Sequence, residues 1–206
     1  DAYDVIYCSN KEEILKRFYK MNHPIIFGAE TECNPDPSQA SNYTKLDEEF
    51  SFLNSGLYIG YAWALRNCLY NYNYDDRHDD QLYWTKQFFQ NSNLIKLDYK
   101  NEIFLNTYNI NHEFLKYDGN QAIYKDRNPL FIHVNGPNKS ELNNYIKKWK
   151  KQEKKVQVIF ENGHLFLSIF EKWKLFFDRF FLKKMVLPEN PVNTKKIIFI
   201  CYWHFF

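Results

Sequence analysis

The stretch Leu130-Phe131-Ile132-His133-Val134-Asn135-Gly136-Pro137-Asn138-Lys139 decides the fold that we predict for this chain. Its first five residues are apolar apart from His133, which is typical of a short strand buried on both faces of a sheet. The following residues predict a tight turn with free peptide N–H groups, and Lys139 adds a positive charge. A metal ligand beside free amides and a lysine is what a diphosphate bound to a divalent cation requires. The alternative is a core histidine followed by an ordinary loop.

Strand and helix patterns before this stretch predict an α/β fold. A strand ending at Tyr7, a helix running to about Met21 and a buried strand over residues 25–27 come first. This β-α-β order predicts a parallel sheet. Later segments continue the alternation: we predict strands over 95–97, 103–105 and 130–134, a hairpin over 112–124, and helices over 62–70, 81–89 and 141–155.

The composition argues against several classes of protein. The chain has 206 residues, of which 45% are apolar, and this is enough for a sizeable core. A net charge of only +2 gives no indication of a nucleic-acid partner. No apolar run reaches the length of about 18 residues that a membrane-spanning helix needs. The four cysteines lie far apart without a CxxC pair, which argues against a zinc ribbon.

Candidate site residues lie at the ends of the predicted strands. Asp1 and Asp4 flank Tyr3 in the first strand, and His133 lies in another. Because strand ends of an open α/β sheet meet at one crevice, we expect these side chains to lie close together. Two carboxylates and an imidazole form a mixed oxygen and nitrogen set that suits Mn²⁺ better than Ca²⁺. Tyr3 would then stack on a base, and Lys139 with the turn amides would hold phosphates.

Other charged and apolar segments leave alternatives open. The acidic cluster over 75–80 precedes a predicted helix, where acids are either dipole-matched caps or part of a site. The lysine-rich helix over 141–155 is either a solvated face or a patch for an anionic partner. Residues 165–182 predict an amphipathic helix that needs a partner surface. Residues 195–206 predict a very apolar terminal strand.

Several short blocks of sequence occur in an order that indicates a known family. They are Asp1-Ala2-Tyr3-Asp4-Val5, Phe52-Leu53-Asn54-Ser55-Gly56 with Ile59-Gly60-Tyr61, Asp79-Asp80-Gln81-Leu82-Tyr83 with Thr85-Lys86, and His133 with Asn135-Gly136-Pro137 and Lys139. Two further blocks are Cys33 with Pro35-Asp36, and Leu97-Asp98 with Lys100 and Ile103-Phe104. With these blocks, the chain resembles the glycosyltransferase domain of the procollagen lysyl hydroxylase/glycosyltransferase family over roughly residues 1–150.

The resemblance implies a GT-A-like (Rossmann-type) α/β domain, with a mixed sheet flanked by helices, that uses Mn²⁺ and a UDP-sugar. The family transfers glucose from UDP-glucose to galactosyl-hydroxylysine of collagen, and related members transfer galactose from UDP-galactose to hydroxylysine. On this basis residues 1–150 are a glycosyltransferase domain that lacks its first strands. Residues 151–206 are a helical and apolar extension of unknown role. Since the chain opens like the end of a strand, we expect a fragment or a shortened relative.

The resemblance also implies a role for residues in the matching blocks. The metal ligands would be Asp1, Asp4 and His133; the uracil would stack on Tyr3; the diphosphate would contact Asn135, Gly136 and Lys139; the pocket would be lined by Asn54, Ser55, Gly56 and Gln81; and the catalytic residues facing the donor sugar and acceptor would be Asp79 and Asp80. Carboxylates there would stabilise positive charge on the sugar or orient the acceptor hydroxyl.

One departure from the family opens a second hypothesis. Asn34 stands where the family usually has a tryptophan that would close over the donor. A relative that binds collagen or a partner protein without transferring sugar is therefore an alternative to an active enzyme. A third hypothesis is a plain α/β domain whose acids and histidine are only caps and core polar groups.

The expected partners and compartment also follow from the resemblance. We expect a collagen or collagen-like hydroxylysine acceptor, together with a second copy of the chain or a hydroxylase domain, and neither nucleic acid nor a membrane span. The endoplasmic reticulum lumen or the secreted space is the expected location. The sequon Asn42-Tyr43-Thr44 is compatible with it. The sequon Asn138-Lys139-Ser140 is predicted to be unmodified, because a glycan there would block the phosphate turn.

Overall fold

The computed structural model describes residues 4–9, 11–43, 48–70, 72–73, 77–118, 121–153 and 197–201. Within these ranges the elements follow one another in this order: β1 (Val5–Tyr7), α1 (Lys11–Met21), β2 (Ile25–Glu30), β3 (Phe52–Tyr61), α2 (Ala62–Leu69), α3 (Asp80–Gln90), β4 (Ile95–Asp98), β5 (Phe104–Asn106), β6 (Leu115–Asp118), β7 (Gln121–Tyr124), β8 (Phe131–His133), α4 (Ser140–Glu153) and β9 (Ile197–Cys201). Short 3₁₀ helices form at Pro37–Asn42 and His112–Phe114.

The strands form three hydrogen-bonded groups, in the orders β4-β2-β3-β9, β1-β8-β5 and β6-β7. β2 is parallel to β4 but antiparallel to β3, and β8 is parallel to β5 but antiparallel to β1. The structure is therefore a mixed α/β fold. The parallel sheet predicted from the β-α-β order is wrong, because the strands pair in both directions and the first two, β1 and β2, lie in different groups. Alternation along a sequence shows that strands recur, but it does not show which strands become neighbours.

The predicted elements agree with the structure to within a few residues. The helix predicted to end at Met21 ends there, and the strand predicted over 103–105 forms one residue later as β5. The predicted hairpin is β6-β7, although its first strand starts at Leu115 because the preceding residues form a 3₁₀ helix. Part of the apolar terminal segment forms β9, which pairs with β3. The amphipathic helix predicted over 165–182 lies outside the described residues.

Successive side chains of β2 and β3 point to opposite faces of the four-stranded sheet, so each face carries part of the hydrophobic core. Ile26 and Ile59 pack with Phe18 of α1 on one face. Phe27 packs on the other face, where its ring lies 4.6 Å from the ring of Tyr58. α3 covers that face through Trp84, whose ring lies 5.0 Å from the ring of Phe27. Helices on both faces explain why every residue of β2 is buried.

Gly28 marks the point where the two larger groups of strands meet. The pairing of β2 with β3 shifts register between Phe27 and Gly28. A Cβ atom at Gly28 would lie only 2.8 Å from Nδ2 of Asn106, which donates a hydrogen bond to the carbonyl oxygen of Ala29 at 2.9 Å. The missing side chain therefore lets the end of β5 pack against β2. The ends of β2, β5 and β8 consequently converge.

Among the helices that the structure describes, none has the length and apolarity needed to cross a membrane.

Candidate active site

A cleft of about 330 Å³ opens where these strand ends converge. This volume is within the range of small-molecule sites. The lining residues come from the end of β2 and the loop after it, the middle of β3, the start of α3, the loop after β5, and the end of β8 with the turn that follows: Glu30, Asn34, Pro35, Asn54, Ser55, Gly56, Asp79, Asp80, Gln81, Tyr108, His133, Asn135, Gly136, Pro137 and Lys139. The wall is thus built from segments that lie far apart in the sequence.

Most of the predicted site residues are brought together in this cleft. Every residue predicted to line the pocket, to contact the diphosphate or to act in catalysis lies in its wall: Asn54, Ser55, Gly56, Gln81, Asn135, Gly136, Lys139, Asp79 and Asp80. Of the predicted metal ligands, His133 lies in the wall and Asp4 lies directly behind it. Asp1 and Tyr3 lie outside the described residues. The role of each residue stays a prediction.

Strand pairing places Asp4 beside His133. Asp4 directly precedes β1, whose Val5 pairs with His133, and the carbonyl oxygen of Asp4 accepts a hydrogen bond from the N–H of Val134 at 2.8 Å. As a result, Oδ1 of Asp4 lies 3.5 Å from Nε2 of His133. Lys139 completes the group, because its ammonium donates to Oδ2 of Asp4 and to the carbonyl oxygen of Val134.

The environment of this pair favours a charged acid and a neutral imidazole. Burial works to raise the pKa of Asp4, but contacts with His133 and Lys139 outweigh it, so that this pKa lies below its ordinary value. Burial lowers the pKa of His133, and only part of this effect is offset by Asp4. An ionised carboxylate and a neutral imidazole are the forms in which both groups bind metals.

The pair fits a divalent cation in its chemistry. Oδ1 of Asp4 is buried and accepts no hydrogen bond of normal geometry from the described residues. One carboxylate and one imidazole are the mixed donors expected for Mn²⁺. No group of three or more acidic, histidine or cysteine side chains that could hold a metal occurs among the described residues. Asp4 and His133 would therefore supply part of a ligand set, and Asp1 stays a prediction.

The turn after β8 is shaped by Gly136 and Asn135. Gly136 has a positive φ of 84°, and a Cβ atom there would collide with the ring of Tyr108. The side chain of Asn135 accepts a hydrogen bond from the N–H of Tyr108 at 2.8 Å and donates one to Glu30 at 2.8 Å. Both ends of this amide hold the turn in place. Its predicted contact with a diphosphate stays a prediction.

Glu30 is a site residue that the sequence reasoning missed. It ends the buried strand β2 and is only 2% exposed. Its carboxylate accepts hydrogen bonds from the side-chain amides of Gln81 and Asn135, at 2.7 and 2.8 Å. Gln81 also donates to the carbonyl oxygen of Asn34 at 2.7 Å and accepts from the N–H of Ser55 at 3.1 Å. The available signal was a carboxylate directly after an apolar strand.

Burial raises the pKa of Glu30 to about 7, although the amides around it favour the charged form. We expect Glu30→Gln to remove part of the pH dependence of stability. At pH values between 4.5, which is the ordinary pKa of this group, and about 7, Glu30 keeps its proton in the folded protein but has lost it in the unfolded chain. The free energy of unfolding of the wild type should therefore fall by about 3 kcal/mol as pH rises through this interval, relative to the variant. Urea unfolding at several pH values measures this difference, and parallel curves for the two proteins would contradict it.

The two acids at the start of α3 both lie in the wall of the cleft, and one of them also caps the helix. Asp79 caps the helix, because its side chain accepts a hydrogen bond from the N–H of Leu82 at 3.1 Å. Asp80 is the first helical residue. The capping interpretation is therefore confirmed for Asp79, although both acids also line the cleft. Capping and exposure to a ligand are compatible, since a cap lies at the open end of its helix.

The fold and the cleft define an α/β domain with a polar site at the ends of its strands. A protein-family model described as the PLOD GT domain matches residues 1–156, and the chain belongs to this family of glycosyltransferase domains. The resemblance inferred from the sequence blocks is thereby confirmed. Membership also implies the GT-A-like fold that we predicted.

Similar proteins are found in animals and in a virus. Human multifunctional procollagen lysine hydroxylase and glycosyltransferase LH3 is 33% identical over 158 residues, which are 71% of this chain and 21% of that protein. Drosophila melanogaster procollagen-lysine,2-oxoglutarate 5-dioxygenase is 36% identical over 157 residues, covering 70% of this chain and 22% of that protein. Protein R699 of Acanthamoeba polyphaga mimivirus is 36% identical over 147 residues, covering 69% of this chain and 32% of that protein. The chain thus spans between a fifth and a third of the length of these relatives.

Proposed function

We propose that this chain is a Mn²⁺-dependent glycosyltransferase domain that moves glucose, or galactose, from a UDP-sugar to galactosyl-hydroxylysine, or hydroxylysine, of a collagen-like acceptor. Family membership and the similarity to LH3, a procollagen lysine hydroxylase and glycosyltransferase, support this proposal. The observation that carries it is the single cleft that joins the turn bearing Lys139, the adjacent Asp4 and His133, and the acids Asp79 and Asp80.

The charges in the cleft match the charge that develops in sugar transfer. Cleavage of the bond between sugar and phosphate leaves negative charge on UDP. A divalent cation held by Asp4 and His133 would supply positive charge beside that leaving group. Lys139 and the peptide N–H groups of the turn would stabilise the same charge from the protein side. Asp79 and Asp80 would stabilise positive charge on the sugar or orient the acceptor hydroxyl.

Domain division, partners and location belong to the same proposal. Residues 1–150 would form the transferase domain, and residues 151–206 would form an extension. A collagen-like hydroxylysine chain would be the acceptor, with a second copy of this chain or a hydroxylase domain as a further partner. The endoplasmic reticulum lumen or the secreted space would be the location. The similarity to LH3 supports the acceptor assignment.

Measurement of UDP release tests the proposed activity. The protein would be incubated with Mn²⁺ and UDP-glucose plus a galactosyl-hydroxylysine peptide, or with UDP-galactose plus a hydroxylysine peptide. We expect acceptor-dependent UDP release with one of these pairs and loss of release when EDTA removes the cation. Release no greater than in the absence of acceptor, for both pairs, would contradict the transferase assignment.

A non-transferring relative is the second candidate, and Asn34 favours it. Asn34 lines the cleft at the position where the family resemblance implies a tryptophan. A smaller polar side chain there would cover less of a bound donor. Calorimetry with Mn²⁺ and UDP separates the two candidates: binding without turnover supports the non-transferring relative, and binding with turnover supports the enzyme.

A further inference from the structure

We propose that Asn106 is a positioning residue that fixes the tautomer of His133. Its side-chain oxygen holds the hydrogen of the imidazole on Nδ1, so that the lone pair of Nε2 is presented to Asp4. The consequence for a cation rests on the proposed function, whereas the tautomer itself is a property of this chain alone.

The orientation of the Asn106 amide follows from its partners. The residue is fully buried, and its Nδ2 donates to the carbonyl oxygen of Ala29 at 2.9 Å. Its Oδ1 therefore faces Nδ1 of His133, at 2.7 Å. The reverse orientation would place the amide oxygen against the oxygen of Ala29, and neither atom can donate. The backbone of β2 thus selects which end of the amide meets the imidazole.

An amide oxygen can only accept, so Nδ1 of His133 must carry the hydrogen. A neutral imidazole then has its lone pair on Nε2. This nitrogen lies 3.5 Å from Oδ1 of Asp4, whose side chain is 8% exposed. In this tautomer both atoms act as acceptors, and a divalent cation bound between them would satisfy both. Histidine ligands of metals are held by a hydrogen bond from their other nitrogen in this way.

The position of Asn106 is itself held tightly. Asn106 pairs with His133 in the parallel register of β5 and β8, and the N–H of Thr107 donates to the carbonyl oxygen of His133 at 3.0 Å. On the other side, the absence of a side chain at Gly28 leaves just enough space for the amide, since a Cβ atom would lie 2.8 Å from Nδ2. The amide is therefore confined between two groups of strands. Its direction depends on the fold and not on a flexible loop.

Nitrogen NMR of the histidine rings, without added metal, is the first test. We expect the wild-type chain at neutral pH to show hydrogen on Nδ1 and none on Nε2 of His133. Asn106→Leu removes the acceptor at nearly constant size, and we expect a mixture of tautomers and an affinity for Mn²⁺ lowered about 10–100-fold. Asn106→Asp keeps an acceptor for Nδ1 but loses the donor to Ala29. We expect it to keep hydrogen on Nδ1, despite a larger loss of stability.

Asn101→Gly is the matched control. It removes another buried amide, which donates to the carbonyl oxygen of Phe104 at 3.1 Å. Glycine tolerates the positive φ of 51° at this position. We expect lower stability in urea, with the tautomer of His133 and the affinity for Mn²⁺ unchanged. A general loosening of the fold would instead shift all the variants alike.

Several results would overturn the inference. Hydrogen on Nε2, or on both nitrogens of the wild-type imidazole, would do so, because the second case is an imidazolium paired with Asp4. A Leu variant with the wild-type tautomer would also do so. Hydrogen on Nδ1 in a wild-type chain that does not bind Mn²⁺ supports the inference and contradicts the metal dependence of the proposed function. Failure of the tautomer assignment and failure of the proposed metal dependence therefore give different results.

Discussion

Asp4→Asn is expected to lower the affinity for Mn²⁺ by about 100-fold or more, and to reduce Mn²⁺-dependent UDP release by a similar factor. The substitution keeps the shape of the side chain but removes the charge that contacts Lys139 and lies beside His133. Residues that only support metal ligands typically change affinity by about 10–100-fold, so loss of a charged ligand should cost at least as much. Calorimetric titration with Mn²⁺ measures the first effect, and the UDP release assay measures the second.

Asp36→Asn is the control for the change of charge. Asp36 caps the 3₁₀ helix Pro37–Asn42 by accepting a hydrogen bond from the N–H of Ser38 at 3.0 Å, and it does not line the cleft. We expect this variant to bind Mn²⁺ like the wild type. Equal binding by the Asp4 variant as well would show that the cation lies elsewhere.

Asp98→Ala is expected to lower the free energy of unfolding by at least about 3 kcal/mol. Asp98 is fully buried at the end of β4, and its carboxylate accepts hydrogen bonds from the N–H groups of Glu102, Ile103 and Phe104 at 2.8, 2.7 and 2.9 Å. Alanine would leave these three donors without their acceptor, and each buried donor without a partner costs about 1–3 kcal/mol. Urea unfolding of the two proteins measures the difference.

Asp98→Asn is the graded comparison for this prediction. One oxygen of Asp98 accepts two of the three hydrogen bonds, and the other accepts one. An asparagine that keeps its oxygen at the doubly bonded position would lose a single bond, so its loss of stability should be clearly smaller than that of alanine. Equal losses would mean that the buried N–H groups do not cause the effect.

Local patterns in the sequence were sufficient for most helices and strands but not for their pairing. The helical spacing that predicts α1 and the apolar runs that predict β2 and β8 are properties of consecutive residues. In contrast, the antiparallel pairing of β1 with β8 places Val5 beside His133, which lies far away in the sequence. The pairing of β2 with β3 likewise joins two strands that a long loop separates. These choices depend on how distant segments pack together. No short window of sequence contains that information.

The candidate site was predictable where residue types carry the chemistry. His133, Lys139 and the acids at the start of α3 stand out because metal ligands and phosphate-binding groups are restricted to a few residue types. Glu30 and Asn106 were missed because each acts through neighbours on other strands. Both are polar residues at the end of a buried apolar strand. This pattern is a usable signal in other α/β sequences.

The side-chain amide of Gln81 makes hydrogen bonds to three different segments. Its nitrogen donates to Glu30 and to the carbonyl oxygen of Asn34, and its oxygen accepts from the N–H of Ser55. This one side chain therefore connects the start of α3 to the loop after β2 and to the middle of β3. A side chain shorter by one methylene, as in Gln81→Asn, would not reach all of these partners. One substitution would therefore loosen the contact of α3 with β3 and with the loop after β2.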